Sequence, residues 1–112
     1  MTDREVRIAH TEALFRDVNE RIAESAERFN ADEAEFICEC HDQTCAERIE
    51  ATLDEYEQVR EHGDHFLLVP GHEDTSVEQV VERPRRQLAI VKKANGIVGR
   101  TVRRLNPRAQ PA

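Results

Sequence analysis

Between Arg4 and Phe29 the chain has neither Gly nor Pro, and Ile8, Thr11, Phe15, Val18, Ile22, Ser25 and Phe29 recur at alternating spacings of three and four. Glu and Arg fill the other positions. This is the period of an amphipathic helix over residues 4–29, about seven turns at 3.6 residues per turn. The stripe is expected to pack on the protein's own body, with part of the helix left available for association. Thr11 and Ser25 weaken the case for a coiled-coil seam.

"NADEAE" (30–35) breaks the helical period and leads to Phe36 and Ile37, which suit a short strand. After Cys45, "ERIEAT" alternates weakly, as a second strand would. "TLDE" then places Thr52 three residues before Glu55, the reciprocal arrangement in which each side chain bonds the other's free backbone amide at a helix start. Leu53, Tyr56 and Val59 give that helix an inner face, and Gly63 lies where the chain can leave it. "HFLLVPG" (65–71) reads as a buried strand stopped by a Pro-Gly turn. "TSVEQVVERP" repeats the capping pattern at Thr75 with Glu78 and at Ser76 with Gln79, which predicts a short helix closing before Pro84. "QLAIV" (87–91) is strand-like, "NG" (95–96) is a turn, and "IVGRTVRRL" predicts a final helix. Its Val98, Thr101, Val102 and Leu105 share one face, with Arg100, Arg103 and Arg104 on the other. The fold class expected is α+β: a small sheet with a cysteine knuckle, covered by the long N-terminal helix and by short helices. Residues 1–93 are expected to form the domain, and 94–112 a basic C-terminal helix and tail.

Composition changes this picture in one respect. Only 38% of residues are apolar, 4% are aromatic and none is Trp, so a core drawn from 112 residues must be thin and gains from a staple. No apolar run approaches the roughly 20 residues needed to cross a bilayer. The start, "MTDREVRIAH", lacks the basic and apolar regions of a signal peptide. A cytoplasmic location without membrane association is therefore expected. In that compartment thiols stay reduced, and three cysteines in one cluster argue for metal or reactive-thiol chemistry over a disulfide framework.

Charge is segregated along the chain. Residues 83–112 contain nine Arg or Lys and no acid, whereas seven basic and 23 acidic residues precede them, so a segment of −16 is followed by one of +9. Such a tail either meets an anionic partner or folds back on its own acidic body, and the second is the commoner case.

All three cysteines lie in "FICECHDQTC" (36–45), as Cys38, Cys40 and Cys45 in the spacing C-x-C-x4-C. Thiolates can converge on one ion at about 2.3 Å from a tight turn between short strands, but three leave a tetrahedral ion one ligand short. The candidate for the fourth is His72 in "PGHED", because a Pro-Gly turn lets a strand end deliver the imidazole to a fixed point. A Cys3His set is a closed tetrahedron for Zn²⁺. His41 adjoins Cys40 too closely to coordinate comfortably beside it, His65 begins a strand, and His10 and His62 lie on predicted helices facing solvent. A reactive thiol would want cations nearby, yet Glu35, Glu39, Asp42 and Glu47 surround the cluster. Those carboxylates oppose thiolate formation unless a cation sits among them.

The combination of "ALFRDVNERI", "FICEC" with a third Cys, "LDEYEQVR", "FLLVPGHE" and "VEQVVER" resembles an uncharacterised family of small actinobacterial proteins with C-x-C-x4-C and P-G-H-E motifs. The resemblance covers most of residues 5–93. It implies that Cys38, Cys40, Cys45 and the Pro70-Gly71-His72-Glu73 turn are signature positions, and it carries no activity with it. The pattern has glycine where this chain has His41, which makes His41 a poor candidate ligand.

Three classes of function are separable. The leading expectation is a zinc-stabilised interaction or regulatory protein, non-catalytic, meeting a protein partner or a second copy through the N-terminal helix. Nucleic-acid binding through Arg100, Arg103, Arg104 and Arg108, with Arg85, Arg86, Lys92 and Lys93, is opposed by the acidic body. It is opposed too by the absence of an aromatic residue after Phe66 on which bases could stack. Enzyme signatures are missing: no Gly-rich phosphate loop, Gly-x-Ser-x-Gly elbow, His-Glu-x-x-His helix or deaminase motif. A thiol redox sensor is the one chemical alternative.

Overall fold

The computed structural model describes residues 3–85, 87–93 and 96–108. Along the chain run α1 (Asp3–Arg28), β1 (Glu33–Ile37), β2 (Arg48–Thr52), α2 (Leu53–Arg60), β3 (His65–Leu68), β4 (Glu78–Arg85), β5 (Leu88–Lys93) and α3 (Gly96–Arg104). The fold is α+β, but the expected small sheet is divided in two. One sheet is the antiparallel pair β1–β2, with Phe36 opposite Ile49. The other has the order β3-β5-β4, antiparallel throughout, with Val91 between Phe66 and Val80. Arg86 and the first residue of the expected Asn95-Gly96 turn lie outside the described residues, as does the tail from 109 onward.

The long helix forms where the apolar period placed it, but its buried face is a different one. Ile8, Ala9, Glu12, Arg16, Asn19 and Ala23 face the body, while Val18, Ser25 and Phe29 of the expected stripe are exposed. The burial direction is turned by about one residue, or 100° around the axis, from the stripe read off the apolar positions. The reason is that the core accepts polar groups here and pairs them. Lys93 Nζ donates to both Glu12 and Glu78, all three side chains being fully buried. Arg16 donates to the carbonyls of Gly63 (2.9 Å) and Val102 (2.8 Å). Apolar periodicity is blind to a stripe of polar residues that finds hydrogen-bond partners inside, even though Glu12 Oε1 and Arg16 Nε are left without one. The helix ends in a left-handed cap: Asn30 has φ 57°, its N–H donates to Glu27 O at 3.0 Å, and Ala31 N–H reaches Ala26 O at 2.9 Å.

The expected cap of α2 is present in full. Glu55 N–H donates to Thr52 Oγ1 at 3.0 Å, and Thr52 N–H to Glu55 Oε1 at 2.8 Å. Tyr56 on its inner face stacks on Phe36, with centroids 4.5 Å apart. The second capping pattern misled: residues 78–85 form β4, not a helix. Asp74 takes the capping role instead, accepting from Ser76 N–H at 3.0 Å and Ser76 Oγ at 2.5 Å, and Glu78 turns back to accept from Asp74 N–H at 2.8 Å. These bonds close a turn, after which the β-branched Val80 and Val81 favour the extended chain. Pro84 is tolerated because β4 is an edge strand whose register against β5 is already irregular beyond Glu82.

Phe66 on β3 is the hub of the core, and cations surround its ring: Arg16 at 5.1 Å, Lys93 at 5.0 Å and Arg60 at 5.7 Å from its centroid. Val98 and Val102 of α3 are fully buried in the same apolar cluster. The basic segment folds back where it is described. Arg103 meets Asp64 at 2.9 Å, and Arg108 forks between Glu20 and Glu57 with contacts from 2.7 to 3.1 Å. No helix among the described residues is long and apolar enough to cross a membrane.

Candidate metal centre

The knuckle starts where β1 stops. Cys38 N–H donates to Glu47 O at 3.1 Å, one step beyond the β1–β2 ladder, so the two strands hold both ends of the loop that carries the thiols. Past the end of β1, Cys38 and Cys40 bring their sulfurs to one side, into the cluster, while Glu39 sends its carboxylate to Asn19 and Arg60 on the other. Both cysteines are buried, and Cys45 is half-buried. Cys45 is returned to them by a turn in which its N–H donates to Asp42 O at 3.0 Å. Asp42 also accepts from Thr44 N–H at 2.9 Å and Thr44 Oγ1 at 2.7 Å, and these bonds hold its carboxyl below the usual carboxylate range.

His72 comes from the end of β3. Its N–H donates to Val69 O at 3.0 Å across Pro70-Gly71, and Gly71 has φ +96°. Proline second and a positive-φ glycine third make a type II turn, so each residue of "VPGH" is chosen by the geometry that delivers the imidazole. Glu73 accepts from Gly71 N–H with both oxygens at 3.1 Å and closes the turn from behind.

The four candidate ligands thus meet. One ligand atom from each of Cys38, Cys40, Cys45 and His72 lies within 4.8 Å of the others. His72 Nδ1 is 3.5 Å from Cys38 Sγ and 3.6 Å from Cys45 Sγ. A sulfur and an imidazole nitrogen bound to one tetrahedral ion, at about 2.3 and 2.05 Å, stand about 3.6 Å apart. The set could hold a metal ion, with His72 coordinating through Nδ1.

Electrostatics within the cluster fit that capacity. A hydrogen bond from the Cys38 thiol holds Cys40 well below the usual thiol range, helped by backbone and His72 contacts. The same contact with Cys40, followed by burial, pushes Cys38 up, and burial raises Cys45. Without a cation the three sulfurs therefore share protons, one thiolate being stabilised at the expense of the others. A metal would remove that competition. Val69 N–H already donates to Cys38 Sγ at 3.3 Å, a bond that favours the thiolate.

The remaining histidines stand elsewhere. His41 Nε2 lies 3.0 Å from Asp74 Oδ2, and His65 stacks on His62 with centroids 4.2 Å apart. Asp74 is the anchor of that side: burial opposes its charge, yet bonds from Ser76 and Arg4 hold its carboxyl down to about 2.

Glu39 is where the sequence reading needs correcting. It does not stand among the thiols but points away from them, fully buried, and accepts from Arg60 Nη2 at 2.6 Å, Asn19 Nδ2 at 2.7 Å and Leu67 N–H at 3.1 Å. Its own N–H donates to Leu67 O at 2.9 Å, which ties the knuckle to β3. Asn19 clasps Ile37 as well, donating to its carbonyl and accepting from its N–H, both at 2.9 Å. Asn19, Glu39 and Arg60 thus position the cysteines without touching them. The only available sign was the strict alternation in "CEC", which puts the middle residue on the opposite side from both thiols.

Comparison with family models, with curated proteins and with solved structures finds no match. The arrangement of the residues is therefore the basis for assigning a role.

Proposed function

We propose that the protein is a small zinc-stabilised interaction or regulatory module with no catalytic activity of its own. The observation that supports this best is the convergence of three sulfurs and His72 within 4.8 Å of one another, with Nδ1 standing 3.5 and 3.6 Å from two of the sulfurs, the edge length of a tetrahedral site. Three thiolates and an imidazole suit Zn²⁺, a borderline-soft ion indifferent to ligand-field geometry, over Mg²⁺ or Ca²⁺, which prefer oxygen. Four protein ligands complete the coordination, so no position is left for water or substrate, and the metal's work is to hold the fold. The anchoring of Arg103 and Arg108 on the acidic body counts against a tail free to bind nucleic acid. The likeness to the small actinobacterial proteins, which covers most of residues 5–93 and includes these four positions, adds no activity.

Elemental analysis of purified protein tests the assignment. One zinc per chain is expected in the wild type and in His41→Ala, and its loss in His72→Ala. Chelation should lower the thermal midpoint by more than about 10 °C, since binding energy at such a site is folding energy. An unchanged midpoint on chelation, or zinc lost from His41→Ala alone, would refute the ligand set.

A further inference from the structure

Among the described residues, the outer face of α1 and the residue that follows it leave large apolar side chains exposed. Leu14 is 60% exposed, Val18 39% and Phe29 78%, and at 100° per residue the three fall within about 60° around the axis, opposite the buried Arg16 and Ala23. Beside this strip runs a row of exposed charges of alternating sign, Asp17, Arg21, Glu24 and Arg28. None of the four makes an ion pair among the described residues.

We propose that this face docks on the same face of a second copy of the chain, with the two α1 helices antiparallel about a two-fold axis between Ile22 and Ala23. The proposal rests on the reading of the protein as an interaction module and names its partner. Charge complementarity carries it. A row reading minus, plus, minus, plus becomes its own complement when reversed, and in an antiparallel pair the same flank of each helix faces its copy. About that axis Asp17 stands level with the second copy's Arg28, and Arg21 with its Glu24, each pair occurring twice. The apolar strip follows the same register. Phe29 falls midway between the second copy's Val18 and Leu14, about 3 Å along the axis from each, where a knob enters a groove between residues four apart. In a parallel pair the same flank of the two helices lies on opposite sides of the seam, and these charges would not meet. An unrelated helical partner would need no such internal symmetry.

Sedimentation of the full metal-loaded chain from about 1 to 500 μM tests this. A monomer–dimer equilibrium is expected, abolished by Leu14→Glu with metal content and thermal midpoint unchanged. Arg21→Glu sets Glu against Glu24 twice and should weaken the dimer roughly tenfold. The double exchange Arg21→Glu with Glu24→Arg should restore it, because both contacts are re-formed with signs reversed. A chain that holds zinc yet stays monomeric throughout overturns the proposal. So does a dimer indifferent to Leu14→Glu, or one weakened equally by the single and double exchanges. A chain that purifies without zinc and still dimerises would overturn the zinc reading and leave this one standing.

Discussion

Replacing Glu39 by Gln exchanges one carboxylate oxygen for an NH2 group at the centre of the knuckle's support, and the structure sets the size of the effect. Glu39 Oε1 accepts from Arg60 Nη2 and Leu67 N–H, and Oε2 accepts from Asn19 Nδ2. An amide can keep one oxygen on Arg60 and Leu67, but its nitrogen then faces the Asn19 amide nitrogen, donor against donor. Arg60 meanwhile loses its one carboxylate partner among the described residues while buried, with Nε and Nη1 already lacking hydrogen bonds and only a long bond to His65 O (3.4 Å) and the rings of Tyr56 and Phe66 left to it. Breaking a buried pair on one side costs about 3–5 kcal/mol. For a chain of this length, with roughly 2.1 cal/mol/K of unfolding entropy per residue, that is about 12–20 °C in thermal midpoint. Melting of the metal-loaded protein followed by circular dichroism reads it directly. Because Asn19 also clasps Ile37, re-aiming its side chain should loosen the knuckle and weaken zinc binding in a competition assay. A midpoint within about 4 °C of wild type would show that Glu39 and Arg60 are not the support described, and the account of how the cysteines are positioned would fail.

Two further outcomes follow from other parts of the molecule. Gly71→Ala meets no steric obstacle around the new methyl, but φ +96° is strained for any L side chain, so a loss of about 1–2 kcal/mol with reduced metal affinity is expected. Equal stability and affinity would mean that the turn does not deliver His72. Burial raises Glu12 to about 8 despite Lys93, whereas its unfolded value is near 4.5. The folded state then binds the extra proton between those values, and this contribution to stability is lost as pH rises toward 8. Glu12→Gln imitates the protonated form, so relative to wild type it should gain up to about 3 kcal/mol between pH 6 and pH 9 in denaturant titrations. A pH-independent difference would show that Glu12 is ionised throughout.

What could be read before the fold was known depended on how local its cause is. The cap at Thr52 and Glu55, the strand at His65–Leu68 and the Pro-Gly turn are set by residues within four positions of one another, and each was legible. The metal-site candidates were legible too, because soft ligands and a positive-φ turn have few other uses in one short chain. Residues 75–83 were misread because Thr75 and Ser76 match a helix start, while the partner that decides for a strand is β5, several residues on. The face of α1 was misread for a related reason. Glu12, Arg16 and Asn19 are buried by partners 18 to 86 positions away, at Ile37, Glu39, Gly63, Lys93 and Val102, and no local pattern announces them.

The two sheets explain why a staple at this point matters. They share no ladder, and what joins them at the knuckle is the bonding of Glu39 to Leu67 together with the meeting of the thiols and His72. Cys38, Cys40 and Cys45 lie on the connection between β1 and β2, whereas His72 follows β3, so an ion held by all four ties one sheet to the other. Closing the 27 residues between Cys45 and His72 costs roughly 3 kcal/mol of chain entropy from the length-dependent part alone. The apolar contacts across that junction come from a thin core, drawn from a chain of which 38% of residues are apolar. Metal coordination, at roughly 10 kcal/mol or more for structural zinc sites, exceeds the closure cost several-fold. The Glu39–Arg60 pair cannot replace it, because desolvation offsets most of what a buried pair gains. The pair aligns the knuckle, and an ion bound by the four ligands would supply the net attraction between the sheets.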